Sequence, residues 1–150
     1  MIRLCAEPFD PARELAAFAC GAAGAGAVAS FTGYVRGEGE EVQALELGHH
    51  PRLTPASLTA VEVATRERFA NVDLLIIHRH GRLLPGEPIV LVAAAAGHRR
   101  AAFDAVDYAM DRLKTEAVFW KKEVRGDGDR WVDARAEDRA DRRRWEVADG

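Results

Sequence analysis

Two strongly apolar runs, residues 72–78 and 89–96, constrain the fold of this 150-residue chain more than any other feature. Each run has the length of one strand, and the sequence Leu-Pro-Gly-Glu at residues 84–87 between them is typical of a turn. Short apolar runs bounded by turn signals are typical of buried strands. The sequence therefore predicts a sheet that contains at least two buried strands.

Three segments around these strands have the signals of helices. Asp10 and Pro11 are typical of a helix start and Gly21 of a helix end. Thr54 and Pro55 open a second helix, with an apolar face at Leu58, Val61, Thr65 and Phe69. A third helix is predicted from about residue 99 to residue 115, with a core stripe at Ala102, Phe103, Val106, Met110 and Leu113. Together, helices and strands predict a mixed α and β fold.

The remaining elements are predicted from shorter patterns. Further strands are expected at residues 27–36, 42–48 and 118–124, and the polar residues 37–41 form the turn between the first two. Residues 134–150 are mostly charged, which predicts a solvated helix or a frayed tail. The sequence shows neither an internal repeat nor a linker between domains.

Composition excludes several function classes. A formal net charge of -3 disfavours a nucleic-acid-binding protein. Residues 15–35 carry no charge and are long enough to span a bilayer, but four glycines and many alanines favour a helix, a turn and a strand instead. Two cysteines, Cys5 and Cys20, are too few for a disulfide framework and indicate a reducing, cytoplasmic compartment. His78 and His80 have the spacing of two ligands on a strand, but no further ligand lies nearby, so no metal site is predicted.

Lysine is rare in this chain and is confined to one region. There are 18 arginines and three lysines, Lys114, Lys121 and Lys122, which fall within nine residues. Arginine serves where only a positive charge is needed, whereas a desolvated lysine can lose its proton and act as a base, an acid or a nucleophile. The cluster therefore indicates a functional lysine, against the alternative of surface bases grouped by chance. On a strand, Lys121 and Lys122 face opposite sides, so we expect at most one of them in a pocket.

Other cations stand at the ends of predicted elements. His98, Arg99 and Arg100 lie between a buried strand and a helix, and a helix start with arginines is suited to an anion. Lys114 lies sixteen residues after His98, near the other end of the same helix. The two groups can therefore meet only if the fold or a partner subunit brings them together. Arg36 is a further cation at a strand end, where functional sites tend to gather.

Several short motifs then follow one another in a specific order over about residues 3–135. They are Phe-Thr-Gly-Tyr-Val-Arg at residues 31–36, His-Arg-His-Gly at 78–81, Leu-Pro-Gly-Glu at 84–87, Gly-His-Arg at 97–99, Leu-Lys-Thr at 113–115, Phe-Trp-Lys-Lys-Glu at 119–123 and Gly-Asp-Arg-Trp-Val at 128–132. In this order and spacing, the sequence resembles the catalytic, large-subunit family of molybdopterin synthase.

The resemblance implies a fold, an assembly and a reaction. The fold is α+β, a hammerhead-like sheet-and-helix domain with a small antiparallel β subdomain over residues 1–135, followed by a charged tail at residues 136–150. The large subunits form a homodimer, and a small ubiquitin-like sulfur-carrier subunit docks at each end, which makes a heterotetramer. Sulfur passes from the thiocarboxylated Gly-Gly C-terminus of this partner to cyclic pyranopterin monophosphate, which becomes the molybdopterin dithiolene. No metal or organic cofactor is implied.

The resemblance also implies which residues act. Lys114 and Lys121 are expected to be catalytic, and the expected substrate-binding residues are Arg36, His98, Arg99 and Arg135. A basic pocket suits both ligands, because the substrate is a phosphate ester and the partner's tail is an anion. Two features depart from the family pattern: the Gly-Glu-Gly-Glu-Glu loop at residues 37–41, and His50, where the family has a tyrosine.

Two other functions fit the same residues. One is a Schiff-base lyase or aldolase with Lys114 or Lys121 as the amine nucleophile. The other is a non-catalytic module that binds a ubiquitin-like protein or RNA, of which RNA is disfavoured by the net charge. Borohydride trapping discriminates the first, and a co-expressed small protein that ends in Gly-Gly supports the sulfur-transfer function.

Overall fold

The computed structural model describes residues 1–37, 41–133 and 135–146, and these residues form two four-stranded sheets with four helices. The strands are β1 (Ile2–Cys5), β2 (Ala27–Tyr34), β3 (Val42–His49), β4 (Asp73–Arg79), β5 (Gly81–Leu83), β6 (Pro88–Ala96), β7 (Phe119–Arg125) and β8 (Arg130–Val132). The helices are α1 (Pro11–Gly21), α2 (Leu53–Arg68), α3 (Arg99–Glu116) and α4 (Ala136–Arg143). The predicted α+β class is confirmed. Most of the predicted turn at residues 37–41 lies outside the described residues.

The main sheet has the strand order β1-β4-β6-β2, and its two central strands are the apolar runs at residues 72–78 and 89–96. Helices cover both of its faces. On one face, Val92 and Ile76 pack with α2 and α3, and on the other face Leu91 and Ile77 pack with Phe18 of α1. Because both faces are covered, β4 and β6 carry apolar residues almost without interruption.

The small sheet has the order β5-β3-β7-β8 and is antiparallel throughout. It is the small antiparallel subdomain that the resemblance implied. Its inner face carries Leu45 and Leu47, which pack with Val35 and Leu83 in a second buried cluster. His80 alone separates β4 from β5, so the chain passes directly from the main sheet into the small sheet at this point. We refer to this region as the sheet junction.

The three predicted helices are confirmed, and the first is capped as expected. The Asp10 carboxylate accepts hydrogen bonds from the backbone of Ala12 at 2.9 Å and of Arg13 at 3.3 Å. The prediction that Phe103 belongs to the core stripe of α3 is wrong, since its side chain is 59% exposed. The buried face of α3 centres on Ala105, Ala109 and Leu113, and a residue two positions from Ala105 points to nearly the opposite side of a helix. Within the described residues, no helix is long and apolar enough to cross a membrane.

The charged C-terminal segment docks on α3. None of the residues of α4 is buried, as expected for a solvated helix, but the described residues 135–146 are not frayed. Arg142 Nε lies 3.0 Å from the carboxylate of Glu116, and the indole N–H of Trp145 donates to Asp111 at 2.7 Å. The Trp145 ring also packs edge-on against Tyr108, with 5.3 Å between the centroids. The division of the chain at residue 135 stays a prediction.

Candidate active site

Lys114 and Lys121 lie on neighbouring elements joined by only two residues. Lys114 is in the last turn of α3, and Lys121 is the third residue of β7. The helix ends because Ala117 takes an extended conformation, with φ -68° and ψ 128°, and the chain enters the strand directly after Val118. This short connection limits how far apart the two lysines can lie, and the charge of Lys114 acts on Lys121.

Two hydroxyl groups of α2 hold the connection between the lysines. Thr54 Oγ1 donates a hydrogen bond to the carbonyl oxygen of Val118, and the N–H of Val118 donates to Ser57 Oγ at 3.1 Å. Thr54 is fully buried and also accepts the N–H of His50 at 2.8 Å. Both backbone groups of Val118 are therefore satisfied by side chains of a neighbouring helix, which fixes the path of the chain from α3 into β7.

Alternation along β7 places Lys121 and Lys122 on opposite faces of the small sheet, as the sequence predicts. Lys121 lies directly opposite Leu47, on the inner face. On the outer face, Lys122 Nζ pairs with Glu46 at 2.8 Å and with Asp129 at 3.2 Å. The hydrogen bonds to Glu46 and Asp129 raise the pKa of Lys122. Lys122 is thus held as a charged structural group, and Lys121 is the lysine that faces the interior.

The outer face also carries a cavity of about 360 Å³ between Trp120 and Trp131. Its charges are engaged with one another, because Arg82 pairs with Glu46 at 3.1 Å and Lys122 pairs with the same carboxylate. The positive charges of this cavity are already paired with its own carboxylates, so they would attract an anionic ligand only weakly. The inner face is therefore the better candidate site.

Three further cations act on the inner lysine, Lys121. Burial is the main cause that lowers the pKa of Lys121, and the positive charge of Lys114 lowers it further. Arg135 and Arg36 act in the same direction, while Glu123 opposes them. Neighbouring positive charges disfavour an ammonium group only over short distances in a protein. Three of the other five predicted site residues, Lys114, Arg36 and Arg135, thus act on Lys121 within a single chain.

A cluster of this composition can both hold an anion and move a proton. Lys114, Arg36 and Arg135 are exposed, so their charges are accessible to a ligand. Lys121 is partly buried, and its lowered pKa lets it exchange a proton closer to neutral pH than an ordinary lysine does. Arg135 is held at the start of α4, where its backbone N–H donates to Asp138 at 2.9 Å.

His98 and Arg99 lie at the far end of α3 from the lysines. His98 is the N-cap residue and Arg99 the first residue of the helix, and both are exposed. At 1.5 Å per residue, the sixteen residues to Lys114 span about 24 Å along the helix axis. The structure therefore does not bring His98 and Arg99 to the lysines within one chain, and their role stays a prediction.

His78 is a neighbour of the lysine cluster to which the sequence assigned no role. Its ring stacks on Phe119, with 4.1 Å between the centroids and 18° between the planes. Nδ1 lies 2.8 Å from the carbonyl oxygen of Arg79, which assigns the proton to Nδ1 and leaves Nε2 as an acceptor. Burial lowers the pKa of His78 to about 4, and the charge of Lys114 contributes. The one sequence feature that could have indicated a role for His78 was its position at the end of a predicted buried strand.

The histidines of the sheet junction do not form a metal site. The ring of His80 packs against His49, with centroids 4.0 Å apart, whereas the ring of His78 packs against Phe119. Over residues 1–37, 41–133 and 135–146, no three histidines, cysteines or carboxylates come close enough together to hold a metal ion.

Comparisons with known proteins identify the family. The family model described as MoaE protein matches residues 4–116. A molybdopterin synthase catalytic subunit from Cereibacter sphaeroides is 49% identical over 140 residues, which cover 93% of this chain and 96% of that protein. Another from Caulobacter vibrioides is 46% identical and covers 97% of both. The solved structure of a molybdopterin biosynthesis MoaE protein from Burkholderia ambifaria has a TM-score of 0.84 at 45% identity and covers 98% of each chain. Because these matches span most of the sequence, the chain belongs to the MoaE protein family.

Proposed function

We propose that this chain is the catalytic subunit of a molybdopterin synthase. It transfers sulfur from the thiocarboxylated Gly-Gly C-terminus of a small ubiquitin-like partner to cyclic pyranopterin monophosphate, which becomes the molybdopterin dithiolene. The observation that best supports this function is the environment of Lys121, a partly buried amine with a lowered pKa beside three further cations. The names of the curated relatives point to the same activity.

The cations of the site divide into binding and proton-transfer roles. Arg36 and Arg135 bind the anionic groups of the substrate and of the partner's tail, since a guanidinium group can donate two parallel hydrogen bonds to a phosphate or a carboxylate. Lys121 accepts a proton during sulfur transfer, because its charged form is already disfavoured. Lys114 is its neighbour and supplies the second group that exchanges a proton.

Each transfer forms one carbon–sulfur bond and breaks another. The thiocarboxylate sulfur attacks a carbon of the substrate and displaces an oxygen substituent, whose carbon–oxygen bond breaks and which leaves with a proton. Water then adds to the partner's acyl carbon and breaks its bond to this sulfur. Sulfur stays on the substrate, the partner leaves as an ordinary carboxylate, and no oxidant is consumed. The two lysines lie where protons must be given and taken during these steps.

His98 and Arg99 act in the site of a second copy in a homodimer, a role that their separation from the lysines along α3 supports. In a two-fold symmetric dimer, any residue that one copy lends to its partner is lent back in return. A helix of this length can therefore contribute Lys114 to one site and Arg99 to the other. Two small subunits complete a heterotetramer, which we place in the cytoplasm because Cys5 and Cys20 are free thiols.

Reconstituted sulfur transfer with the thiocarboxylated partner tests the function. We expect Lys121→Gln to lower the single-turnover rate by about 10²- to 10⁴-fold, the usual cost of removing a general acid or base. Lys122→Gln is the matched control, because it removes the adjacent lysine from the outer face, and it should keep most of the rate. Equal losses in both variants contradict the assignment. Borohydride trapping of a carbonyl substrate on Lys121 would instead favour a Schiff-base lyase.

Mixing two variants that are both impaired at substrate concentrations well below KM tests the shared site. When Lys114→Ala and Arg99→Ala subunits are mixed in equal amounts and allowed to exchange, half of the dimers contain one copy of each. Each mixed dimer then has one intact site, so about a quarter of the wild-type activity should return. If all six residues acted from one copy, mixing would restore nothing.

A further inference from the structure

We propose that Arg79 and Glu87 form an ion pair that positions Arg36 for the phosphate of the substrate. The inference rests on the proposed function, in which Arg36 binds this phosphate. Arg79 is only 3% exposed, and it is the one charged side chain in the buried class among the described residues. A charge at this depth is retained only when it is paired, so its partners indicate what it holds in place.

The guanidinium of Arg79 joins three segments at the sheet junction. Nη1 lies 3.1 Å from Glu87 Oε2 and 3.4 Å from the carbonyl oxygen of Pro88, at the start of β6. Nη2 donates to the carbonyl oxygen of Ala6, which follows β1, at 3.1 Å. Arg79 therefore ties the end of β4 to the segment after β1 and to the turn at residues 84–87.

Glu87 closes this turn with its own side chain. The oxygen that pairs with Arg79 also accepts the N–H of Leu84 at 2.9 Å, and the N–H of Glu87 donates to the carbonyl oxygen of Leu84 at 3.0 Å. Gly86 completes the turn with a φ of +86°, which side chains other than glycine disfavour. The hydrogen bond from Leu84, together with Arg79, lowers the pKa of Glu87, so the carboxylate stays ionised.

The turn at residues 84–87 lies against the chain on both sides of Arg36. Regular pairing of β2 with β6 shifts between Gly33 and Tyr34, before the chain reaches Arg36. Beyond this shift, Val35 is paired with the turn instead: its N–H donates to the carbonyl oxygen of Glu87 at 2.9 Å, and its carbonyl oxygen accepts the N–H of Gly86 at 2.9 Å. On the other side, a Cβ placed on Gly37 would lie 3.6 Å from Pro85.

Arg36 is therefore presented by a segment that pairs with the turn at Val35 and lies close to it at Gly37, and Arg79 and Glu87 hold the turn. Arg36 itself is exposed, yet it contributes to the lowered pKa of Lys121, so it belongs to the lysine cluster. Arg79 and Glu87 do not touch the substrate in this scheme. They are positioning residues, and their loss should weaken substrate binding rather than proton transfer.

Steady-state kinetics of a double-mutant cycle test this role with the reconstituted enzyme. We expect Arg36→Ala to raise KM for cyclic pyranopterin monophosphate by about 10- to 100-fold, as for the loss of a charge-assisted hydrogen bond. Glu87→Gln, which keeps the shape but not the charge, should raise KM by about tenfold with kcat within about twofold. In the Arg36→Ala background, Glu87→Gln should add less than about twofold, because residues that act through one another are not additive.

A matched control separates this effect from the general loss of an ion pair. Glu46→Gln removes a carboxylate that pairs with Arg82 and Lys122 on the outer face, and it should leave KM unchanged. Gly86→Ala provides a second perturbation, because it disfavours the turn without removing any charge, and it should raise KM in the same sense.

The outcomes distinguish the inference from the function on which it rests. If Arg36→Ala raises KM but Glu87→Gln and Gly86→Ala do not, the positioning role is wrong and the function of Arg36 stands. Additive effects in the double variant also overturn the positioning role. An unchanged KM for Arg36→Ala overturns the assigned function of Arg36, and the inference with it. Should Glu87→Gln fail to fold by circular dichroism, the Gly86→Ala cycle decides alone.

Discussion

Replacing Lys114 by glutamine should raise the pKa of Lys121, and replacing Glu123 by glutamine should lower it. Among the neighbouring charges, Lys114 has the largest effect in disfavouring the ammonium form of Lys121, and Glu123 favours that form. A like charge a few ångströms away typically shifts a pKa by about one unit or more. Since Lys114 has the larger effect of the two, we expect a rise in the first variant and a smaller fall in the second.

The small number of lysines makes this measurement direct. With lysine carrying ¹³C at the ε position, the protein gives three side-chain signals, which substitution of each lysine in turn assigns. In the wild type, Lys121 should titrate below the ordinary pKa of 10.5, and Lys122 should titrate above that value because of its carboxylate partners. Lys122 serves as the internal reference in both variants.

The pKa of Lys121 should shift in opposite directions in the two variants, and this difference in sign distinguishes electrostatic coupling from other causes. A general change in hydration or packing would move the pKa of Lys121 in the same direction in both variants, whereas electrostatic coupling moves it in opposite directions. The limb of the pH–rate profile that reports Lys121 should move with the measured pKa, to higher pH in Lys114→Gln. A pKa of Lys121 that stays constant within about 0.3 units in both variants would refute the convergence of charges described above.

Three further predictions concern single residues. Lys114→Arg should lose about as much single-turnover rate as Lys114→Ala, about 10²- to 10⁴-fold, because a guanidinium does not release its proton. Lys114→Gln is the uncharged control. If Lys114→Arg retains more than about a tenth of the wild-type rate, Lys114 is a binding residue and not a proton-transfer residue. Arg99→Ala should raise KM for the phosphorylated substrate by about 10- to 100-fold, and an unchanged KM with an intact circular dichroism spectrum counts against it. The unfolding free energy should fall as the pH is lowered from 6.5 to about 4, because His78 is protonated in the unfolded chain over this range but stays neutral in the folded chain. Urea titrations at several pH values should find that His78 contributes a slope of about 1.4 kcal/mol per pH unit, and His78→Phe should remove this contribution.

Local patterns predicted those parts of the fold that depend on local physics. The apolar runs of β4 and β6 could be identified because both faces of a central strand are covered, and the separation of Lys121 from Lys122 follows from the period of a strand. β1 escaped prediction because it has only four residues and pairs with β4, more than seventy residues away. Nothing in the sequence of so short a segment specifies such a distant partner.

The site shows the same division. The rarity of lysine pointed to the cluster of Lys114, Lys121 and Lys122 from composition alone, and Arg36 was noted as a cation at a strand end. The choice of Lys114 and Lys121 as catalytic, and the binding roles of Arg36 and Arg135, came from the family resemblance. Their approach to Lys121 depends on the sheet junction and on the docking of the C-terminal segment, in which Trp145 reaches Asp111 across thirty-four residues. Contacts of this kind arise from the tertiary fold, and no periodicity in the sequence encodes them.

The two-residue connection from α3 to β7 has a consequence for how this protein can change over evolution. Because side chains alternate along a strand, one residue inserted at Ala117 or Val118 would shift β7 by one position and turn each of its side chains to the other face. Lys122 would then face the interior, and Lys121 would replace it among the acidic residues of the outer face. Variation in loop length, which surface connections usually tolerate, is therefore barred at this point. Descendants of this protein can alter the lysine site by substitution but not by insertion or deletion between its two lysines.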